Sequence, residues 1–149
     1  MEYTDTDKVL KVLKTYDYNL EFVDKNLRND RKIVLEAVKF NGYNLKYTDK
    51  SLKKDKKIVL TAVKSNGHAL EFADKSLRKD IKIVTEAVKQ SGHALAHAHI
   101  SFKKDRKFIL KMVKTGGGVL QNATKSLRKD KKIVLEAVKT YGYDLLHAN

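Results

Sequence analysis

The same residues return every 25 positions along this chain, and this spacing constrains the fold more than any other feature. A leucine recurs at Leu20, Leu45, Leu70, Leu95, Leu120 and Leu145. An aspartate recurs at Asp5, Asp30, Asp55, Asp80, Asp105 and Asp130, and a glycine at Gly42, Gly67, Gly92, Gly117 and Gly142. No insertion or deletion interrupts this phase. Since independent domains tolerate such changes in their linkers, a fixed phase predicts short units that stack on one another.

Each 25-residue unit is predicted to contain two helices. Asp30 is a favourable N-cap, because its carboxylate can accept the free amide protons of a first helical turn. A longer helix then extends over residues 31–41, with apolar side chains along one face. We expect Gly42 to end that helix as a C′ residue in the left-handed conformation, which costs glycine least. A shorter helix follows over roughly residues 44–50.

Helix pairs this short cannot bury their apolar faces alone, so we expect them to stack along one continuous core. The predicted fold is all-α, an α-solenoid of stacked short helix pairs with a 25-residue repeat. It forms a single domain over residues 1–149, with units at approximately 5–29, 30–54, 55–79, 80–104, 105–129 and 130–149. Leu10 and Leu13 near one end, and Leu145 and Leu146 near the other, lack an obvious polar cap. We therefore expect partly exposed ends and either end-to-end self-association or docking on a larger assembly.

A longer motif accompanies the spacing. Residues 127–142 read Leu-Arg-Lys-Asp-Lys-Lys-Ile-Val-Leu-Glu-Ala-Val-Lys-Thr-Tyr-Gly, and close variants occupy residues 27–42, 52–67 and 77–92. This pattern resembles the short repeats of a family of domains of unknown function, DUF4116, as about five to six tandem copies of 25 residues from Asp5 to Ala148. The resemblance implies helical repeats and supplies no activity. The segment from Ser101 to Gly117 departs most from the motif.

Composition and motifs argue against several classes of function. The chain has no Cys, which excludes disulfides, thiolate metal sites and a cysteine nucleophile. No glycine-rich phosphate loop follows a predicted strand, and helix capping explains the aspartates, so we expect neither an enzyme nor a cofactor. The polar N-terminus does not resemble a secretory signal, and no apolar run reaches the ~20 residues that span a bilayer. These features predict an intracellular protein, in the cytoplasm or the interior of an infected cell, that is neither secreted nor bound to a membrane.

The sharpest cluster of potential metal ligands is His93, His97 and His99. Two histidines four residues apart on a helix can bind a divalent cation. However, His93 and His97 stand where other units have Tyr or Phe, so ring packing explains both, and no carboxylate or Cys completes a ligand set. We therefore predict no metal site, and these three histidines are the candidates if one exists.

Rings recur at two positions of most units, on the opposite side of the short helix from its leucine. The first ring column is Tyr18, Tyr43, His68, His93 and Tyr143, and the second is Phe22, Tyr47, Phe72, His97 and His147. Packing on the long helix of the next unit is the favoured interpretation. The alternative is an exposed series of rings, of the kind that stacks on single-stranded nucleic acid.

Three basic rows are the strongest indication of function. The net charge of +14 attracts polyanions, although a Lys-rich composition is also typical of an AT-rich genome. Stacking would align the cations as candidates for binding an anion or a partner. The first row is Lys32, Lys57, Lys82, Lys107 and Lys132; the second is Lys14, Lys39, Lys64, Lys89, Lys114 and Lys139; the third is Arg28, Lys53, Arg78, Lys103 and Arg128.

Cations such as Lys56 and Lys57 in a first helical turn oppose the macrodipole, so folding stability alone would select acids there. Against a functional role, Lys32, Glu36 and Lys39 are spaced for intrahelical ion pairs that need no ligand. The favoured hypothesis is a non-enzymatic scaffold or binding module whose basic face mediates protein–protein interaction or assembly. The alternative is sequence-independent nucleic-acid binding through the Lys and Arg rows.

Overall fold

The chain folds into short helices joined by tight turns. The computed structural model describes residues 6–15 and 19–142, with the backbone alone for residues 14 and 15. Helices of ten residues are α1 Thr6–Thr15, α2 Arg31–Phe40, α3 Lys56–Ser65, α4 Ile81–Gln90 and α9 Lys131–Thr140. Shorter α-helices are α5 Ile100–Lys104, α6 Arg106–Met112, α7 Val119–Asn122 and α8 Lys125–Arg128. These two ranges contain no β-strand, which confirms the all-α class.

An aspartate starts α2, α3, α4, α6 and α9, as predicted. The Oδ1 atom of Asp30 accepts hydrogen bonds from the backbone N of Lys32 at 2.8 Å and of Ile33 at 3.0 Å. The same pair of capping bonds is found at Asp55, Asp80, Asp105 and Asp130. The carboxylates thereby satisfy amides that have no partner inside the helix. Asp5 lies outside the described residues.

Four apolar side chains on one face of each long helix form the core. In α2 they are Ile33, Val34, Ala37 and Val38, all fully buried, and the corresponding residues of α3 and α4 are buried to the same extent. Their i, i+1, i+4, i+5 spacing places them on one broad stripe of an α-helix. Helix α2 packs against α1 and α3, α3 packs against α4, and α6 contacts both α4 and α9. The core is therefore shared between successive helices.

The second helix of each unit differs from the prediction. In place of an α-helix over residues 44–50, the structure has 3₁₀ helices at Gly42–Tyr47, Gly67–Phe72 and Gly92–His97. Helix α2 ends at the extended residue Asn41, whose side-chain oxygen accepts a hydrogen bond from Tyr43 N at 2.9 Å. The residue that follows α2 thus also caps the next helix with its side chain. Further 3₁₀ turns occupy Leu20–Phe22, Leu27–Asn29, Leu52–Lys54 and Leu77–Lys79.

The expectation of a left-handed conformation at Gly42 is wrong. Within the described ranges, only Gly118 has a positive φ, of 81°. Gly42 is instead buried at the start of a 3₁₀ helix, where a Cβ atom would overlap the carbonyl oxygen of Ala62 in the next unit. Gly67 meets Ala87 in the same way. The recurring glycine is therefore needed for close approach between units.

Main-chain hydrogen bonds also join successive units at a constant separation. The backbone N of Asp49 donates to Arg28 O at 3.1 Å. The equivalent bonds run from Asp74 N to Lys53 O, from His99 N to Arg78 O and from Thr124 N to Lys103 O, at 3.0 to 3.1 Å. Each connects the start of a turn in one unit with the end of a 3₁₀ turn or short helix in the unit before it.

The unit that departs most from the motif also departs in structure. Helix α6 ends at Met112, and turns follow it up to Gly118, which precedes α7. The glycine run therefore leads into α7, rather than ending a ten-residue helix. Phe102 and Phe108 pack on each other with ring centroids 5.0 Å apart, so the two larger side chains of this unit fill space together.

The chain ends are described only in part. The expectation of partly exposed leucines is wrong for Leu10 and Leu13, which are 8% and 3% exposed because α1 packs against α2. Leu145 and Leu146 lie outside the described residues. None of the helices in the described ranges has the length and apolar character needed to cross a bilayer.

Asp80→Ala is expected to lower the free energy of unfolding more than Asp105→Ala. Each change removes two capping hydrogen bonds, at a cost of about 1 kcal/mol. Asp80 also binds Lys56 Nζ of the preceding unit at 2.5 Å, whereas Ile81 stands at that position before Asp105. An exposed ion pair adds about 0.2–1 kcal/mol. Urea unfolding followed by circular dichroism measures both; equal losses would contradict the contribution of the ion pair.

Gly67→Ala is expected to cost about 1–3 kcal/mol, because its new methyl group meets the Ala87 carbonyl in a packed interior. Gly116→Ala is the matched control. Its Cβ would lie 3.9 Å from Val88 O, which is ordinary contact, and its φ is not positive. Thermal unfolding of the two variants should differ by several degrees. A Gly67→Ala protein as stable as the control would disprove the close-approach explanation.

Candidate partner-binding surface

The first row consists of the second residue of each capped helix. Lys32, Lys57, Lys82, Lys107 and Lys132 are all exposed. Their backbone amides bond to the capping aspartates, for example Lys57 N to Asp55 at 2.8 Å. Within residues 6–15 and 19–142 their ammonium groups form no ion pair. This row is therefore free to bind an anionic group.

The first residue of these helices has a different role. Arg31 Nε lies 2.9 Å from Asp55, and Lys56 Nζ lies 2.5 Å from Asp80. Arg106 binds Asp130 through two bonds, of 2.7 and 3.2 Å. Each cation thus pairs with the capping aspartate of the next unit, which offsets its unfavourable position in the macrodipole. The structural explanation covers Lys56 but not its neighbour Lys57.

The second row is largely neutralised by glutamates. Lys39 lies 2.5 Å from Glu36 in the same helix, so the predicted i, i+3 pair is formed. The remaining pairs are Lys89 with Glu86 at 3.2 Å, and Lys139 and Lys114 with Glu136 at 3.5 Å each. Lys64 has Thr61 in place of the acid, and it lines a shallow groove beside Leu60 and Ile81. The side chain of Lys14 is not among those described.

The third row is bound to the main chain. Arg28 donates from Nε to Val23 O at 2.8 Å and from Nη2 to Glu21 O at 2.7 Å. Equivalent bonds run from Arg78 to Ala73 O and Glu71 O, from Lys53 to Lys46 O and from Lys103 to Ala96 O. These cations satisfy carbonyls at the ends of 3₁₀ helices, which is a structural role. Arg128 is the exception within the described residues, because it is half-buried and its Nε atom has no hydrogen-bond partner.

Three similar clefts lie between successive units, and the three rows do not include most of the lysines that line them. The first cleft is lined by Lys25, Arg28, Tyr47, Thr48 and Asp49. The second is lined by Lys50, Lys53, Lys54, Phe72, Ala73, Asp74, Lys75 and Arg78, and the third by Lys75, Arg78, Lys79, His97, Ala98, His99 and Ile100. Their volumes are about 220, 470 and 440 Å³. The sequence signal was available, since Lys25, Lys50 and Lys75 keep the 25-residue spacing.

The rings form a surface series rather than part of the core. Tyr43, His68 and His93 are exposed, and Tyr47, Phe72 and His97 are half-buried, so the favoured interpretation of core packing is wrong for the first ring column. Tyr43 packs edge-on against Phe72 of the next unit, with centroids 5.0 Å apart and planes at 84°. The ring centroid of His68 lies 6.5 Å from that of His93 and 6.5 Å from that of His97. Tyr18, Tyr143 and His147 lie outside the described residues.

The three candidate metal ligands each have a different partner. A side-chain hydrogen bond joins His93 to Gln121, and His99 bonds to Ser101 Oγ at 2.9 Å. His97 lies against His68, and burial lowers its pKa. In the described part of the chain, no group of three or more His, Cys, Asp or Glu side chains is placed to hold one metal ion.

A family model for the domain of unknown function DUF4116 matches residues 5–53, 55–103 and 105–149, nearly the whole chain. The chain belongs to the DUF4116 family. The model divides the chain into three copies, each about twice as long as a 25-residue unit, rather than the expected five to six copies. The DUF4116 copies begin at Asp5, Asp55 and Asp105, of which the last two are capping aspartates in the structure. Searches of curated proteins and of solved structures find no match.

The ion pairs between units make the stability of this DUF4116 protein depend on pH. The hydrogen bond from Lys56 is the largest cause that lowers the pKa of Asp80, and Arg106 does the same for the pKa of Asp130. Because both pKa values are lower in the folded state, the stabilisation is complete above the ordinary value near 3.8 and is lost as pH falls through the folded values.

Thermal unfolding measured between pH 6 and pH 2.5 is expected to show this loss below about pH 4. Lys56→Met removes the cation that lowers the pKa of Asp80. The melting temperature of this variant should therefore fall less steeply with decreasing pH than that of the unaltered protein. Parallel curves for the two proteins would show that the Lys56–Asp80 pair contributes nothing.

Proposed function

We propose that this protein is a non-enzymatic α-solenoid of 25-residue helical units and that it acts as a scaffold or binding module. Its basic face mediates interaction with a protein partner or a larger assembly. The first row carries this proposal, because its lysines repeat in register, are exposed and form no ion pair within the described ranges. Successive contacts between α1, α2, α3 and α4 support the stacked arrangement.

The other basic rows have roles in the fold, which distinguishes them from the first. Glutamates neutralise most of the second row, and main-chain carbonyls bind the third. The first row has no such role in the fold. Each of its lysines lies in a first helical turn, where repulsion from the macrodipole lowers stability by roughly a few tenths of a kcal/mol. Cations that cost stability and bind nothing within the described chain are typical of a surface that recognises a partner.

Sequence-independent nucleic-acid binding through the Lys and Arg rows is the second candidate. The net charge of +14 and the regular spacing of the first row favour it. Two observations favour protein instead. The third row directs its charged groups to main-chain carbonyls, and Tyr43 and Phe72 pack edge-to-face with centroids 5.0 Å apart, so no base can insert between these rings.

We further propose that the module has no catalytic activity and requires no cofactor. The inter-unit clefts are lined mainly by lysines, rings and small side chains, and Ser101, whose hydroxyl bonds to His99 at 2.9 Å, is not among the residues that line them. We also propose that it acts inside a cell and does not associate with membranes. Self-association remains part of the proposal, because one stacked unit can pack on another.

A first-row variant, Lys57→Gln/Lys82→Gln/Lys107→Gln, is expected to lose the protein partner that the unaltered chain retains. The matched control is Lys39→Gln/Lys89→Gln/Lys139→Gln, which removes the same charge from lysines that are already paired. Each tagged protein is expressed in the cells that normally produce it, purified after nuclease treatment, and its bound proteins are quantified by mass spectrometry. Equal recovery of partners by both variants would refute the proposal.

The same proteins distinguish the alternative. Fluorescence anisotropy measures their binding to a random-sequence 20-nucleotide DNA or RNA strand at 50, 100 and 200 mM salt. Affinity driven by phosphate contacts falls steeply with salt over this range, by about 10³-fold or more for a protein that contacts about six or more phosphates. Weak binding that does not depend on salt would reject the nucleic-acid function. Tight, salt-dependent binding, together with partners released by nuclease, would establish it in place of protein binding.

A further inference from the structure

The three clefts between units form a second surface, separate from the first row. We propose that they bind an extended acidic segment of a partner protein, with one carboxylate side chain seated at each cleft. This inference rests on the proposed function in one respect only, that the ligand is a protein. The next paragraphs derive it from the charge, the apolar floor and the spacing of the clefts.

Each cleft contains cations that the fold does not use. In the second cleft, Lys53 and Arg78 bond to carbonyls, whereas Lys50, Lys54 and Lys75 form no ion pair within the described residues. Lys25 stands in the first cleft, and Lys75 and Lys79 stand in the third. Because Lys75 lines both the second and third clefts, these two form one continuous basic surface.

The acids of the first two clefts are already hydrogen-bonded, and the third cleft has His99 at the equivalent position. Asp74 accepts hydrogen bonds from the backbone N and the hydroxyl of Ser76, at 2.9 and 2.7 Å, and the hydroxyl bond is the largest cause that lowers its pKa. Asp49 makes the same two bonds with Ser51. These carboxylates therefore stabilise the turns and form no ion pair with a lysine of the cleft within the described residues. An incoming carboxylate can therefore pair with the lysines that remain.

A ring and a small buried residue form the apolar part of every cleft. The rings are Tyr47, Phe72 and His97, each half-buried, and the small residues that follow them are Thr48, Ala73 and Ala98. The methylene groups of a Glu side chain, and the residues between successive acids, can cover these apolar atoms. Peptide-binding surfaces commonly hold the main chain of the peptide and provide pockets for some of its side chains.

The spacing of the clefts fits an extended polypeptide. Packed helices lie about 8–10 Å apart, so equivalent points of successive units are separated by about that distance. An extended chain in the polyproline II conformation advances about 3.1 Å per residue with three residues per turn, so every third side chain lies on the same face, about one unit apart. A ligand with Glu at every third position therefore places one carboxylate at each cleft. A nucleic-acid strand fits less well, because Tyr43 and Phe72 pack against each other and leave no gap for a base.

The test uses the full chain and a fluorescent synthetic peptide with three Glu residues at every third position, separated by Ala and Leu. A second peptide of identical composition has its Glu residues adjacent. The cleft variant is Lys50→Ala/Lys75→Ala. Its matched control is Lys39→Ala/Lys89→Ala, which removes the same charge from lysines that are already paired with glutamates. Anisotropy at 100 mM salt gives the dissociation constants, and an oligothymidine strand serves as the nucleic-acid probe.

We expect the spaced peptide to bind the unaltered chain more tightly than the adjacent peptide. The cleft variant should weaken that binding by about tenfold, as expected for the loss of two charged contacts, and the control variant by less than about twofold. Equal binding of the two peptides would overturn the register. Equal weakening by both variants would overturn the location at the clefts, and tight cleft-dependent binding of oligothymidine alone would replace peptide with nucleic acid. None of these outcomes depends on the first-row partner assay, so the two proposals fail separately.

Discussion

The aspartates that start α2, α3, α4, α6 and α9 accept hydrogen bonds from their own helices, and at three junctions the aspartate also pairs with a cation of the unit before it. Asp55, Asp80 and Asp130 have both interactions. The carboxylate is held by its backbone bonds in the position that the neighbouring cation requires. Local helix formation and the contact between units are therefore coupled through one side chain. Asp105 has the cap without the ion pair, because Ile81 replaces the cation.

Some cations of the chain are held in ion pairs or main-chain hydrogen bonds, and others form no ion pair in the part of the chain that the structure describes and can contact a partner. The structure holds the first residue of three long helices in an ion pair and the third row in main-chain hydrogen bonds, although in sequence both look like parts of one basic surface. The first row and the cleft lysines Lys25, Lys50 and Lys75 form no ion pair within the described ranges. The net charge of +14 therefore does not show which cations a partner meets. The positions of the free cations matter more than their number.

The sequence predicts the features that depend on local periodicity. The capping aspartates and the buried stripe of Ile33, Val34, Ala37 and Val38 follow from short-range rules that hold without knowledge of neighbours. The 3₁₀ helices were missed because Leu45 and Thr48, three residues apart, share one side of either helix type. Gly42 was misread because a helix-ending glycine and a close-packing glycine look the same in sequence. Its contact, Ala62, lies in the next unit.

The candidate site was harder to predict than the fold. The third row gives no sequence signal for its partners, since they are carbonyl oxygens five and seven residues earlier. The cleft lysines do keep the 25-residue phase, but Ile100 interrupts it, and only the structure shows which of them share a cleft. The ring columns were assigned to the core because periodicity gives the direction of a side chain relative to its own helix. It does not show whether another helix covers that side.

The main-chain bonds between Asp49 and Arg28, and their equivalents along the chain, have a consequence for how such a protein changes during evolution. Each of the units at residues 30–54, 55–79 and 80–104 supplies the donor for one junction and the acceptor for the following one. A duplication in the gene that adds 25 codons therefore inserts a segment that already matches both of its neighbours, and a deletion of the same length rejoins compatible faces. Array length can thus vary by whole units while each surviving junction keeps its geometry, and the reach of the proposed binding surface varies with it.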